Sequence, residues 1–332
     1  MKARSQMALP LLLILTAFHI AYARPVDPLV RSKLTQRLVD STDLIGNLIA
    51  DSLMEIAPGI TETDIHYTDR AGRAMHLFIL QVDLNQPEVS LEVATPDNLP
   101  IFTRQSVLAQ AVLVDTAGHQ VMAGINGDFF NMHNGIPLGI VHQNGTVIKG
   151  IFMDNKKKPQ QAVSFFGVTR AGTPHIDFKS GYASIREQLY HATGSGVLLV
   201  NNHVAVKQPY TAIAPRTAVG YDDEGMIYFA IVDGRDIPYS NGMNYAQLSS
   251  IFMAFGAQKA VNLDGGGSTT LLTRNPLTDV LEVRNRPSDG APRAVANAWL
   301  VISKTQSNRH RKTYNANEIP SCPRRDLDDD DN

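Results

Sequence analysis

The sequence predicts an α+β protein built on a mixed, strand-rich sheet domain with packed helices. Three observations carry that reading. Short apolar runs bounded by Gly, Pro, Asn and Asp recur along most of the 332 residues, as strands do. Stretches with apolar residues three and four apart are few. The two kinds of segment do not alternate as regular βα units would. With 43% hydrophobic and 19% charged residues, the chain has enough apolar material for a true core.

The elements follow in order. Residues 1–23 read as a secretory signal: Lys2 and Arg4 open it, an apolar stretch covers 8–20, and Ala21-Tyr22-Ala23 supplies a small-x-small cleavage site. About 13 apolar residues fall short of the roughly 20 that a membrane span needs. The mature chain is therefore expected to begin near Arg24, to be secreted or periplasmic, and to have no stable membrane anchor. Leu34, Leu38, Ile45, Leu48, Ile49, Leu53 and Ile56 recur at helical spacing, predicting an amphipathic helix over 31–56 within an N-terminal helical segment, 24–60. Residues 61–303 form the main domain. Within it, residues 75–93 read as two strands broken at Asn85-Gln86-Pro87. Further strands are predicted at 121–130, 139–148, 162–169, 196–206, 217–221, 226–233, 259–263, 269–272 and 294–302. Asn144-Gly145 and Asp223-Glu224-Gly225 mark hairpin turns, and 103–116 and 245–255 are helical. The tail, 304–332, turns polar and ends in an aspartate run, the composition of a disordered segment.

Charge and cysteine content exclude several classes. Lys and Arg number 30 against 32 Asp and Glu, and removal of the signal leaves 28 against the same 32. The charges are dispersed, so nucleic acid is not an expected partner. Cys322 is the sole cysteine and lies in the tail, which rules out an internal disulfide and a cysteine metal site. There is no P-loop and no His-Glu-x-x-His helix. A serine-hydrolase elbow fails because Thr270 stands where its second glycine belongs. His133 and His142 could join Asp128 on a metal, but their spacing is not diagnostic.

Three polar clusters interrupt apolar strands. Asn126-Gly127-Asp128 lies between Ile125 and Phe129-Phe130, where buried polar groups must be paired. Arg216-Thr217 and Asp233-Gly234-Arg235 stand at strand ends, where a guanidinium could grip phosphate or pair structurally with Asp. The sharpest cluster is Asp264-Gly265-Gly266-Gly267-Ser268, flanked by strands on both sides. Three glycines in a row are costly in backbone entropy and suit close approach to the main chain. Their N–H groups could form an anion nest, with the Ser268 hydroxyl beside it and Asp264 at its lip.

Taken together these clusters resemble the phosphodiester glycosidase family. The resemblance spans about 76–302 and runs through Ile125-Asn126-Gly127-Asp128-Phe129-Phe130, Gly194-Ser195-Gly196, Pro215-Arg216-Thr217-Ala218-Val219-Gly220, Val232-Asp233-Gly234-Arg235, Asn262-Leu263-Asp264-Gly265-Gly266-Gly267-Ser268 and Asn285-Arg286-Pro287-Ser288-Asp289-Gly290. Animal members are cysteine-rich and membrane-anchored, whereas this chain resembles the plainer bacterial form. The resemblance implies hydrolysis of the glycosidic C–O bond of a sugar-1-phosphodiester, releasing free sugar and a phosphomonoester. Cell-wall and extracellular glycopolymers are the candidate substrates, and no cofactor is expected. A phosphomonoester leaves readily, so the chemistry needs a carboxylate at C1 and donors for the phosphate more than a strong acid. Asp264 is the expected carboxylate, with Asp128 or Asp233 as its partner. Gly265, Gly266, Gly267, Ser268, Arg216, Thr217, Arg235 and Arg286 are expected to hold the diester, and Asn126 the sugar hydroxyls. Two other classes stay open: a non-catalytic binder of phosphorylated glycans and a metal-dependent phosphodiesterase.

Overall fold

The computed structural model describes residues 32–304. The signal segment, the start near Arg24 and the tail from residue 305, Cys322 included, lie outside the described residues. β1 (Asn47–Ala57), β2 (Ile60–Thr68), β3 (Ala74–Asp83), β11 (Leu198–Asn201), β12 (Val204–Ala205), β13 (Arg216–Tyr221), β14 (Met226–Val232) and β15 (Lys259–Asn262) form a large sheet in the order β1-β2-β3-β14-β13-β15-β11-β12. A second sheet joins β6 (Val141–Gln143), β7 (Thr146–Lys149), β8 (Ser164–Thr169), β9 (Pro174–Phe178) and β10 (Leu189–Ser195) in the order β7-β6-β10-β8-β9. The third comprises β4 (Val89–Ala94), β5 (Gln120–Asn126), β16 (Leu271–Arg274), β17 (Leu281–Val283) and β18 (Ala298–Ser303), ordered β17-β16-β5-β18-β4.

The strand-rich expectation is met, with few helices. Every pairing between these strands is antiparallel, so the sheets are not mixed in direction. Antiparallel pairs need only short turns, and both expected hairpin turns are present: Asn144 and Gly145 each adopt positive φ, as does Gly225. The expected helices at 103–116 and 245–255 appear as Val107–Val114 and Tyr245–Ala254. A capping box opens the latter, with the Asn244 and Gln247 side chains each accepting the other's backbone N–H.

The helix expected over 31–56 is corrected. Only Lys33–Ser41 is helical, capped by the Ser32 hydroxyl, which accepts the Leu34 and Thr35 N–H groups. Residues Asn47–Ala57 form the edge strand β1, and Gly59, with φ of 78°, turns it into β2 rather than ending a helix. The misreading has a physical cause. Irregularities between Leu48 and Ala50 and between Glu55 and Ala57 interrupt the two-residue alternation, and Ile49 and Leu53 are exposed apolar residues on an edge. Together they imitate a helical period. Asp51 of β1 in turn anchors the helix by accepting from the Ser32 N–H and the Thr35 hydroxyl, each at 2.8 Å.

Two apolar layers position the functional end of the molecule. One face of the large sheet carries Leu77, Ile79, Ala230 and Val232 against Leu34 and Leu38 of the first helix and Leu248, Ile251 and Phe252 of the last. The other face packs Phe78, Phe229 and Val261 against Ile125, Phe166 and Trp299 from the two smaller sheets. Trp299 is fully buried, and its Nε1 donates to Thr193 Oγ1 at 2.9 Å. This packing brings the end of β5 to the end of β15.

Candidate active site

The seam between those strand ends is tied by Asn126. Its Nδ2 donates to the Asp264 carbonyl at 2.7 Å, while its Oδ1 accepts from Thr217 Oγ1 at 2.8 Å and from the Thr270 N–H at 3.1 Å. Asn126 and Thr217, expected at the sugar and the diester, are both fully buried. They sit behind the site and fix the main chain of Asp264. The Asp264 N–H adds a bond to the Gly127 carbonyl at 3.0 Å.

The Asp264 side chain emerges into a cleft of about 880 Å³, bordered by Phe129, Leu138 and Gly265 to Gly267, with Lys156, Lys157, Lys158, Arg235 and Arg293 among its lining residues. Burial pushes the Asp264 carboxyl up to about 6, against the opposing pull of the Ser268 hydroxyl, the Gly265 N–H, Arg293 and Lys158. Its Oδ1 accepts that N–H at 2.8 Å. Asp154 also lines the cleft, but it is exposed and held by Lys179 at 2.6 Å.

Two of the three glycine N–H groups expected to form an anion nest are engaged within the loop. The Gly265 N–H bonds the Asp264 carboxylate, the Gly266 N–H the Pro215 carbonyl at 2.9 Å, and the Ser268 N–H the Gly265 carbonyl at 3.3 Å. These donors shape the turn and are not aimed at a ligand. The glycines serve close approach instead. Gly266 has φ of +64°, and a Cβ there would meet the Arg235 guanidinium at 3.1 Å. At Gly267 it would strike the Arg293–Asp289 pair. Ser268 is buried and accepts from Arg293 Nη1 at 3.3 Å.

The two arginines of the second cluster part company. Arg216 is buried; its Nε donates to the Met243 carbonyl at 2.9 Å, its Nη2 to the Ala212 carbonyl, and the guanidinium stacks 4.2 Å over Tyr245. It braces the loop rather than facing the cleft. Arg235 is exposed in the cleft, adopts a left-handed φ of 62°, and has no ion pair among the described residues. A non-glycine residue in that conformation is sparsely populated and clusters at functional sites. Arg286 lies apart from the cleft wall, paired with Asp236 at 3.1 Å and over Tyr239.

The two partner carboxylates also differ. Asp233 is buried and structural: it accepts from Asn285 Nδ2 at 2.8 Å, the Arg286 N–H at 2.8 Å and the Tyr239 hydroxyl at 3.2 Å, closing the 285–286 segment onto β14. Asp128 lies behind Asp264 and is 1% exposed. Its N–H donates to Asn297 Oδ1 at 2.8 Å, its Oδ2 accepts the Gly139 N–H at 2.6 Å, and its Oδ1 has no partner. Burial pushes it up to about 8, with the Asp264 charge adding to the rise and the Gly139 N–H and Lys149 opposing it. Its burial favours the protonated form. His133 lines the cleft, while His142 is buried elsewhere on the Tyr182 hydroxyl at 2.7 Å. They do not gather around Asp128 as metal ligands.

A family model for phosphodiester glycosidases matches residues 119–302, more than half the chain. The chain belongs to the phosphodiester glycosidase family. Within it, the bovine N-acetylglucosamine-1-phosphodiester alpha-N-acetylglucosaminidase is 28% identical over 173 residues, covering 46% of this chain and 31% of that protein. The mouse enzyme is 29% identical over 196 residues, covering 51% and 35%. The chain thus matches about a third of the length of these relatives. The zebrafish enzyme's catalytic domain, solved in a form auto-inhibited by its pro-peptide, superposes with a TM-score of 0.56 at 21% identity over 79% of this chain and 90% of that one. A hypothetical protein from Synechocystis gives 0.57 at 16% identity over 77% and 64%. At such identities the likeness concerns the fold.

Lys156, Lys157, Lys158 and Arg293 line the cleft without having been expected there. The lysine run was visible as a local cationic cluster, but nothing in its spacing placed it beside Asp264. No described helix is long and apolar enough to cross a membrane.

Proposed function

We propose that the protein hydrolyses the glycosidic C–O bond of a sugar-1-phosphodiester, with Asp264 acting at the anomeric carbon. The observation that carries this reading is the placement of Asp264 in a cleft walled by Lys156, Lys157, Lys158, Arg235 and Arg293. A diester carries one negative charge and its phosphomonoester product up to two, so cations around the leaving group are stabilised most as the bond breaks. Asp264 is then the nucleophile, or the base that activates water. Asp128, kept neutral, places no second negative charge behind Asp264 and supports its loop through Gly127 and Asn297. Candidate substrates are phosphodiester-linked cell-wall and extracellular glycopolymers.

Arg235→Ala tests the phosphate contact. Loss of a charge-assisted bond of about 1.5–3 kcal/mol corresponds to roughly a 10- to 150-fold fall in kcat/KM on a sugar-1-phosphodiester. Thermal stability should hold, because the guanidinium is exposed without an ion pair. Unchanged kcat/KM would move the diester elsewhere in the cleft.

A further inference from the structure

A second constellation lies outside the cleft, on one face of β2 and β3. Asp64 and His66 are two residues apart on β2 and so project to the same side. His76 on β3 stands directly opposite His66 in the antiparallel register. The three side chains bring one donor atom each within 4.8 Å of one another. Asp64 Oδ1 is 2.6 Å from His76 Nε2 and 3.5 Å from His66 Nε2, and the imidazole centroids are 3.5 Å apart.

An ordinary His–Asp hydrogen bond accounts for only part of this. It leaves unexplained why a second imidazole crowds the same carboxylate oxygen. Tyr239 walls the cluster, its ring 4.9 Å from His76 and 6.1 Å from His66.

We infer that Asp64, His66 and His76 form a binding site for a divalent transition metal of the zinc class. Two imidazoles and one carboxylate suit zinc and its neighbours, whereas magnesium and calcium favour oxygen donors. Tetrahedral zinc with bonds of about 2.0–2.1 Å sets its donors roughly 3.3 Å apart, a spacing that shifts of about 1 Å in these side chains provide. The side chains of His66 and Asp64 are 40% and 23% exposed, which leaves a solvent-facing position for water. The His76 N–H donates to Ser240 Oγ at 3.0 Å and its carbonyl accepts the Asp233 N–H at 3.2 Å. A metal here therefore clamps β2 and β3 to the base of the 235–241 loop, which carries Arg235 into the cleft.

The test uses the full chain without a histidine tag, stripped with EDTA and titrated with Zn²⁺ by calorimetry. One equivalent should bind, and zinc at a hundredfold excess over Kd should raise the melting midpoint by about 5 °C or more. His66→Ala should weaken binding by about 100-fold or more, and Asp64→Asn should weaken it too. Both positions are partly exposed, so both variants should fold. Absence of zinc binding overturns the inference, as does binding that both variants retain, or calcium or magnesium binding as tight as zinc.

Discussion

Asp264→Asn is expected to lower kcat by about two to four powers of ten, the loss typical of a positioned acid–base or nucleophilic carboxylate. The substitution isolates charge from shape. Asn Oδ1 can still accept the Gly265 N–H that Asp264 Oδ1 accepts at 2.8 Å, so the turn and the binding of a non-hydrolysable diester should survive. The wild-type pH profile supplies a second readout. Burial raises the Asp264 carboxyl to about 6, and the ionised form that attacks or activates water accumulates above that value. Below it kcat/KM should fall about tenfold per pH unit, and the residual activity of Asp264→Asn should lack this acid limb. Near-normal turnover in the variant would reduce Asp264 to a cap on the glycine turn.

Gly139→Ala should cost about 3 kcal/mol or more of folding stability. A Cβ on Gly139 would collide with the Gly194 Cα and lie 3.0 Å from Asp128 Oδ2. The first contact is between two backbones, which no rotamer change relieves. Strain would pass directly to Asp128, whose Oδ2 accepts the Gly139 N–H, so activity should fall with stability. Gly150→Ala is the control: its Cβ would meet Val147 at 3.3 Å and Tyr182 at 3.7 Å, and the change should stay within about 1 kcal/mol. Urea unfolding of the two variants measures the difference, and equal stabilities would contradict the close packing of the two glycines.

Sequence patterns were informative where local chemistry decides structure. The apolar runs that became β13, β14 and β15 are strands whose burial is dictated by composition, and Asn144-Gly145 supplied the positive φ its hairpin needs. The edge strand β1 was illegible because its exposed Ile49 and Leu53 and its irregular register mask the two-residue period. At the site, Asp264 could be singled out because a carboxylate beside three glycines is unusual locally. The division of labour among the other polar residues depends on tertiary neighbours. Arg216 and Arg235 look alike in sequence, yet one stacks on Tyr245 and the other borders the cleft. Asp233 reads as a partner carboxylate until Asn285, the Arg286 N–H and Tyr239 are seen to occupy it. Lys156, Lys157, Lys158 and Arg293 come to Asp264 from distant segments, a proximity that no sequence spacing encodes.

If Asp264 acts at the anomeric carbon, the bond that breaks is C–O and not P–O. Turnover of a sugar-1-phosphodiester in heavy-oxygen water, with both products weighed by mass spectrometry, distinguishes the two. The label is expected in the free sugar, with the phosphomonoester unlabelled; label in the phosphate would show P–O cleavage and rule out attack at carbon.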